Sequence, residues 1–285
     1  MLKVCLIGIG KTGKEIAKMI FEQKDMKIVL AMCSPGSIKK HMDLGQVLGI
    51  QELGIKIEGT NKLDELLIKY RPDVVVDFST SEATLKNAHI ISNLGINLVV
   101  GTTGFSEIEL NEIKTLALNN QTGVVYAPNI TNGVNVLMIL TKLASILLNN
   151  YDFQITESHH KNKKDIPSGT ALKIANEIKD GLLYSNKDIS LDNISINSVR
   201  AGGIVGKHEV LIAGEYDEIT ISHESFSRKV FAKGAINAIN FIKDKIGFFE
   251  MRDVLSISKI IEDLYLNKRA QISNNNKMLA IDLKK

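Results

Sequence analysis

The chain has 285 residues, with no tryptophan, four prolines, two cysteines and 5 % aromatic residues. The few aromatics are not interleaved with basic blocks, so there is no surface for stacking nucleobases. The net charge of +3 is small and dispersed, which suits a small anionic ligand better than a polyanion. Cys5 and Cys33 lie inside apolar runs, with no His or second Cys at metal-ligand spacing, and read as buried core thiols. No metal site is expected. No stretch reaches the ~18 uninterrupted apolar residues of a membrane span. Met1 leads directly into a strand-like segment without a basic, apolar and small-residue leader pattern. The expectation is a soluble, reduced, cytoplasmic protein. Glycine and proline are under a tenth of the chain, 44 % is apolar and 24 % charged, which excludes disorder and collagen. The length suits two domains.

The first half alternates short apolar runs with helical periodicity. Val4-Cys5-Leu6-Ile7 leads into Gly8-Ile9-Gly10-Lys11-Thr12-Gly13, after which Ile16, Ala17, Met19 and Ile20 recur at helical spacing. Ile28 to Cys33 is a second run, ended by Ser34-Pro35-Gly36. Val74 to Phe78, Asn97 to Val100 and Gly123 to Tyr126 are further unalternated strands, with helices near Glu82 to Asn93 and Glu107 to Asn119. Such runs predict a parallel sheet covered on both faces.

After Tyr126 the pattern changes. Helices are predicted over Val134 to Leu148 and from Ser168, with strands at Phe153 to His159, Ile194 to Arg200, His208 to Ala213 and Glu218 to His223. These strands, joined by short turns, predict a second, antiparallel sheet. Ala232 to Lys243 and Val254 to Leu264 read as helices, and Ser273 to Lys277 as a polar tail.

Three groups of residues carry chemistry. In Gly8-x-Gly10-x-x-Gly13, the glycines allow a tight turn and close approach of the backbone to a pyrophosphate resting on a helix N-terminus. The usual acid of an NAD site is absent after the second strand, where Cys33-Ser34-Pro35 stands, and Lys39, Lys40 and His41 follow. Gly101-Thr102-Thr103-Gly104 and Ala127-Pro128-Asn129 end parallel strands, at the edge where open α/β sheets bind ligands. The densest group is Glu157 to Ala171, with His159, His160, Lys161, Lys163 and Lys164 before a helix start at Ser168-Gly169-Thr170. Imidazoles, ammonium groups and free helix amides together suit a small dicarboxylate. Adjacent His159 and His160 on one strand would point to opposite faces, which argues against a shared metal ion unless the chain bends there.

Taken in order, these segments resemble the 4-hydroxy-tetrahydrodipicolinate reductase family, also called dihydrodipicolinate reductase, over about residues 1 to 255. The most specific part is Glu157-x-His-His-x-x-Lys163-x-Asp165-x-Pro167-Ser-Gly-Thr170-Ala171. Val76-Asp-Phe-Ser79, Gly133-Val-Asn135, Arg200-x-Gly202-x-x-Gly206-x-His208 and Phe231-Ala-x-Gly-Ala235 support it.

The resemblance implies a Rossmann-type parallel-sheet domain over 1–127 and an α+β substrate and oligomerisation domain with an open mixed or antiparallel sheet over 128–240. Helices in 241–285 would return to the first domain. By the same resemblance, His159 and Lys163 handle protons, and His160, Gly169 and Thr170 hold substrate carboxylates. Gly8, Ile9, Gly10, Lys11 and Thr12 hold pyrophosphate, and Gly101, Thr102, Thr103, Ala127, Pro128, Asn129 and Ile130 lie beside the nicotinamide of NADH or NADPH. A homotetramer is implied. Two other readings compete: another two-domain dehydrogenase, or a regulator that senses NAD(P)H without turnover. The glycine loop is one residue shorter than the Gly-x-x-Gly-x-x-Gly form common in the family, and residues from about Ser256 run past the family pattern.

Overall fold

The computed structural model describes residues 1–187, 190–260 and 262–263. Strand β1 (Leu2–Ile7), helix α1 (Lys11–Phe21) and strand β2 (Met26–Cys33) form the first βαβ unit. Helix α1 buries Gly13, Ile16, Ala17 and Ile20, a single stripe at helical spacing. Helix α2 (Leu44–Leu48), strand β3 (Ile57–Gly59) and helix α3 (Leu63–Tyr70) follow, none of which periodicity had marked. Two of these have five residues or fewer, too short for a repeat to declare itself. Then come β4 (Val74–Asp77), α4 (Ser81–Asn93), β5 (Asn97–Val100), α5 (Glu107–Asn119) and β6 (Gly123–Tyr126), close to expectation. Two helix starts are capped from the sequence: Thr80 accepts from Ala83 N–H, and Ser106 with Glu109 forms a capping box.

The second half runs α6 (Asn132–Leu147), β7 (Asp152–His159), α7 (Gly169–Tyr184), β8 (Ser195–Arg200), β9 (Lys207–Ala213), β10 (Glu218–Glu224), α8 (Lys229–Ile242), β11 (Gly247–Glu250) and α9 (Met251–Val254). The large sheet has the order β11-β6-β5-β4-β1-β2-β3, and all its pairs are parallel. It is doubly wound. One face packs on α1 and α8 through Ile16, Ile20, Ala235 and Ile239, the other on α3, α4 and α5 through Leu67, Ile91 and Ile113.

Two expectations drawn from periodicity alone are corrected. The second sheet, ordered β10-β9-β7-β8, is mixed and not purely antiparallel, because α7 carries the chain across so that β8 runs parallel to β7. Helix α8 packs against α1, with Ala232, Ala235, Ile236 and Ile239 buried in that core. Helix α9 stops at Val254, the backbone takes positive φ at Ser256, and helical residues resume at 257–260. The end of the helix expected to reach Leu264, and the polar tail at Ser273 to Lys277, lie outside the described residues. None of the described helices is long and apolar enough to cross a membrane.

Gly234 is where α8 meets the segment linking the domains: a Cβ there would lie 1.8 Å from the Ile130 carbonyl oxygen. Backbone cannot yield as a flexible side chain can. Gly234→Ala is therefore expected to cost about 2 kcal/mol and lower the unfolding temperature by roughly 5 °C, measured by thermal denaturation. An unchanged transition would show that α8 is free to shift.

Candidate active site

A cavity of about 350 Å³ opens between the two sheets. Thr12, Phe78, Gly101 and Thr103 line it from the first domain, Pro128, Asn129 and Ile130 from the linker, and His159, His160, Lys163 and Thr170 from the second domain. The two groups of predicted residues, far apart in the chain, thus face one space. His208, His223, Ser225 and Arg228 also line it.

The second-domain wall is a consequence of strand register. In β7, Glu157 and His159 point to the same face because side chains alternate. Parallel pairing sets Arg200 beside His159, antiparallel pairing sets His208 beside Glu157, and β10 sets His223 beside His208. The fully buried Glu157 carboxylate is then shared: Oε2 meets His159 Nδ1, and Oε1 accepts from Arg200 Nη2 at 2.7 Å and from Ser168 N–H at 3.2 Å. Arg200 Nη2 also donates to the Asp165 carbonyl at 2.6 Å, which ties the loop before α7 to the sheet. Burial alone would raise the Glu157 pKa, but hydrogen bonds from Arg200 and His159 outweigh it and hold the carboxyl at about 2.

His159 is lowered, chiefly by burial, which outweighs the raising effect of Glu157. Its imidazole is therefore neutral near pH 7, with Nδ1–H donated to Glu157 and Nε2 bare. A Cβ at residue 206 would come within 3.2 Å of that Nε2, so Gly206 keeps it open. His208 packs edge-on against His159 with ring centroids 5.1 Å apart, and burial lowers its pKa to about 3. Among the described residues, Glu157, His159 and His208 are grouped closely enough to hold a metal ion, but the glutamate oxygens are already spent on Arg200, Ser168 and His159.

The chain bends just after His159. Strand β7 ends at His159 and the chain turns, with Lys163 N–H donating to the His160 carbonyl at 3.0 Å, so both imidazoles face the cavity. The Lys163 ammonium sits there also, 2.8 Å from Asp165 Oδ2. Ser168 caps α7 by accepting from Ala171 N–H at 3.2 Å, and the Gly169 amide donates to the Asp165 carboxylate, which helps hold that carboxyl below its usual range. The Thr170 hydroxyl donates to Asn129 Oδ1 at 2.5 Å, so the helix start is latched to the linker.

On the first-domain side, Gly8 has φ +92°, and a Cβ there would meet the Phe78 carbonyl at 2.5 Å. A Cβ on Gly13 would reach the Gly8 carbonyl at 1.9 Å, whereas around Gly10 there is open space. The turn is tight against the protein and open outward, and α1 begins at Gly10 without a side-chain cap. These features fit a dinucleotide pyrophosphate.

Not every predicted cofactor residue faces the cavity. Thr102 is buried, accepts from Thr84 and donates to the Asp77 carbonyl, so its side chain supports the strand ends. Ala127 is core, and Ile9 is buried and can offer only backbone. Asp77, raised by burial, accepts from Ser79 and Asn87 and is a structural acid at the same edge.

Comparison with known proteins gives one answer. The model for the dihydrodipicolinate reductase N-terminus matches residues 2–130, and that for the C-terminus matches 133–255. A 4-hydroxy-tetrahydrodipicolinate reductase of Methanocaldococcus jannaschii is 37 % identical over 272 residues, covering 91 % of this chain and 99 % of its own. That of Methanopyrus kandleri is 38 % identical over 268 residues, covering 90 % of this chain and 97 % of its own. A solved dihydrodipicolinate reductase from Paenisporosarcina sp. TG-14, with dipicolinate bound, superposes with a TM-score of 0.71 at 27 % identity, covering 88 % of this chain and 97 % of that one. An amine dehydrogenase of Mycobacterium smegmatis, 12 % identical with a TM-score of 0.58, shares the fold.

The neutral burial of His208 generates a pH dependence. Between its unfolded pKa near 6.5 and its folded value of about 3, the unfolded chain binds a proton that the folded chain refuses. Its contribution to stability is therefore full above pH 6.5 and falls as pH drops toward 3. His208→Gln is expected to flatten the melting temperature against pH in that window, and equal slopes for both proteins would place His208 in a hydrated setting.

Proposed function

Because this chain belongs to the dihydrodipicolinate reductase family, we propose that it reduces 4-hydroxy-tetrahydrodipicolinate to tetrahydrodipicolinate with NADH or NADPH, in the diaminopimelate route to lysine. The observation that carries the reading is the single cavity shared by the glycine-loop side and the His159, His160, Lys163 and Thr170 wall. The dinucleotide, held by the turn from Gly8 to Thr12 and by Gly101, Thr103 and the linker, supplies hydride when bound.

The protein's own residues supply the rest. His160, and the backbone of Gly169 and Thr170 at the start of α7, hold the two carboxylates of the ring and fix its orientation. Protons must be both removed and delivered, since water leaves and reduction consumes one net proton. Neutral His159, its Nδ1–H anchored on Glu157, suits the accepting role at Nε2, and the Lys163 ammonium suits the donating role. Glu157 and Arg200 position His159 without meeting the substrate. A regulator that only senses the nucleotide would have no use for this pair of proton-handling groups.

The second sheet supports the reading of an assembly. Helices α6 and α7 cover the face carrying Phe153, Ile155, Val210 and Ile212. By alternation the opposite face carries Thr156, Ser158, Val199, Leu211 and Thr220, and Val199 is 41 % exposed. This open face supports association of four copies through their sheets, in a cytoplasmic enzyme.

The test is oxidation of NADH and NADPH in the presence of substrate freshly made by the upstream synthase. Both Lys163→Ala and His159→Gln are expected to lower kcat by roughly a hundredfold or more while dissociation constants for the dinucleotide stay within about twofold. Loss of nucleotide binding in step with kcat would misplace the site, and no oxidation with either nucleotide would reject the function.

A further inference from the structure

Helix α7 carries a polar stripe that the substrate wall uses only at its first residue. Thr170, Lys173 and Glu177 stand at i, i+3 and i+7, one above another on one face. The opposite face, with Ala171, Ile174, Ile178 and Leu182, is buried in the core of the second sheet. Each residue of the polar stripe reaches away from that core. The Thr170 hydroxyl donates to Asn129 of the linker, the Lys173 ammonium lies 4.0 Å from Glu250 Oε1, and Glu177 Oε1 lies 3.5 Å from Arg252 Nη2.

These partners are fixed by the large sheet. Glu250 ends β11 in register with Tyr126, the last residue of β6 before the linker. Its N–H donates to Asp253 Oδ2 at 2.8 Å, within the capping box that opens α9. Arg252 is set in turn by Glu250, whose Oε2 lies 3.1 Å from both Nε and Nη2 of the guanidinium. On the other side, Lys142 of α6 meets Glu177 Oε2 at 3.2 Å, so the mostly buried Glu177 carboxylate takes one cation from each sheet's elements. A second cavity, of about 300 Å³, separates α6 and α7 from β11 and α9, and shares Pro128 and Asn129 with the first. Elements held apart by a cavity are not spaced by close packing along it, and here charged side chains span the gap.

Glu177 lies seven residues from Thr170, about 10 Å along the helix axis. Over two hydrogen-bonded turns a helix moves as one piece, so whatever holds Glu177 also sets where Gly169 and Thr170 stand. We infer that Arg252 and Glu177 are positioning residues for the substrate: without meeting the ring, they tether α7 to the large sheet and so hold the helix start that grips its carboxylates. The inference rests on the reading of Gly169 and Thr170 given above. The effect belongs in KM and not in kcat, because His159 is oriented by Glu157 and Arg200 on the second sheet itself.

Steady-state kinetics on the full chain at saturating dinucleotide test it, alongside titration calorimetry of the dinucleotide complex with pyridine-2,6-dicarboxylate. Arg252→Gln is expected to raise both the substrate KM and the dicarboxylate dissociation constant by about threefold, with kcat within about twofold. Glu177→Gln should act in the same direction, and the double variant should add little to either alone. One substitution removes a positive charge and the other a negative one, so a shared direction separates a tether from a long-range field on the anionic ring. Arg252→Lys should recover most of the loss, and sodium chloride should close the gap between the unaltered chain and Arg252→Gln. Asp180→Asn, which breaks a contact confined to α6 and α7, should change neither constant. An unchanged KM in Arg252→Gln, opposite shifts in the two single variants, an equal rise in Asp180→Asn, or a fall in kcat with KM unmoved would overturn the inference while leaving the reductase reading intact. Absence of turnover in the unaltered chain would overturn the reductase reading, and the dicarboxylate titrations would still decide the tether.

Discussion

The ion pair between Glu157 and Arg200, with His159 drawn in as third member, is the constraint on which the second domain depends. A carboxylate with no solvent exposure is costly unless its lone pairs are filled, and here Arg200, His159 and the Ser168 amide fill them. Such a group contributes less to net stability than to geometry, because the geometry is the condition for burying it at all. It sets the His159 tautomer, brings β7, β8 and the start of α7 into one register, and through the Asp165 carbonyl fixes the loop carrying Lys163. His159 and the loop carrying Lys163 are thus positioned by one buried network.

The linker is the second constraint. Residues Ala127 to Thr131 pass between the two sheets, and several polar groups there are held by neighbours. Asn135 Nδ2 donates to the Asn129 and Thr131 carbonyls at 2.7 Å each, and Thr170 latches Asn129 from the other domain. Gly234 brings α8 against Ile130, and Arg252 after β11 reaches Glu177 on α7 at 3.5 Å. Pro128, Asn129 and Ile130 of this held segment also line the cavity.

Much of the large sheet was legible because its strands are buried on both faces and read as unbroken apolar runs: β5 and β6 fall on the residues expected. Short elements escaped. Strand β11, Gly-Phe-Phe-Glu, has four residues and no alternation, and it becomes a strand only because β6 offers a free parallel edge. The sense of β8 was also hidden, since neighbouring strands can pair either way and the crossover through α7 decides. At the site, the Glu157 to Ala171 motif named His159, His160 and Lys163, while Thr102 and Ala127 proved to be supporting residues whose side chains turn into the protein.

Sequence alone determined which chemistry is available: a glycine turn opening a helix, a cluster of imidazole and ammonium before another helix start, and no acid after the second strand. These are local properties, set by residue type and spacing within a few turns of chain. Tertiary structure decided what those groups can do. Only strand register lines up Ser198, Glu157, His208 and His223 across one sheet, and only the loop's path carries Lys39 to Ile9. The protonation state of His159 and the reach of Lys39 depend on neighbours distant in sequence, because burial and charge act through space and not along the chain.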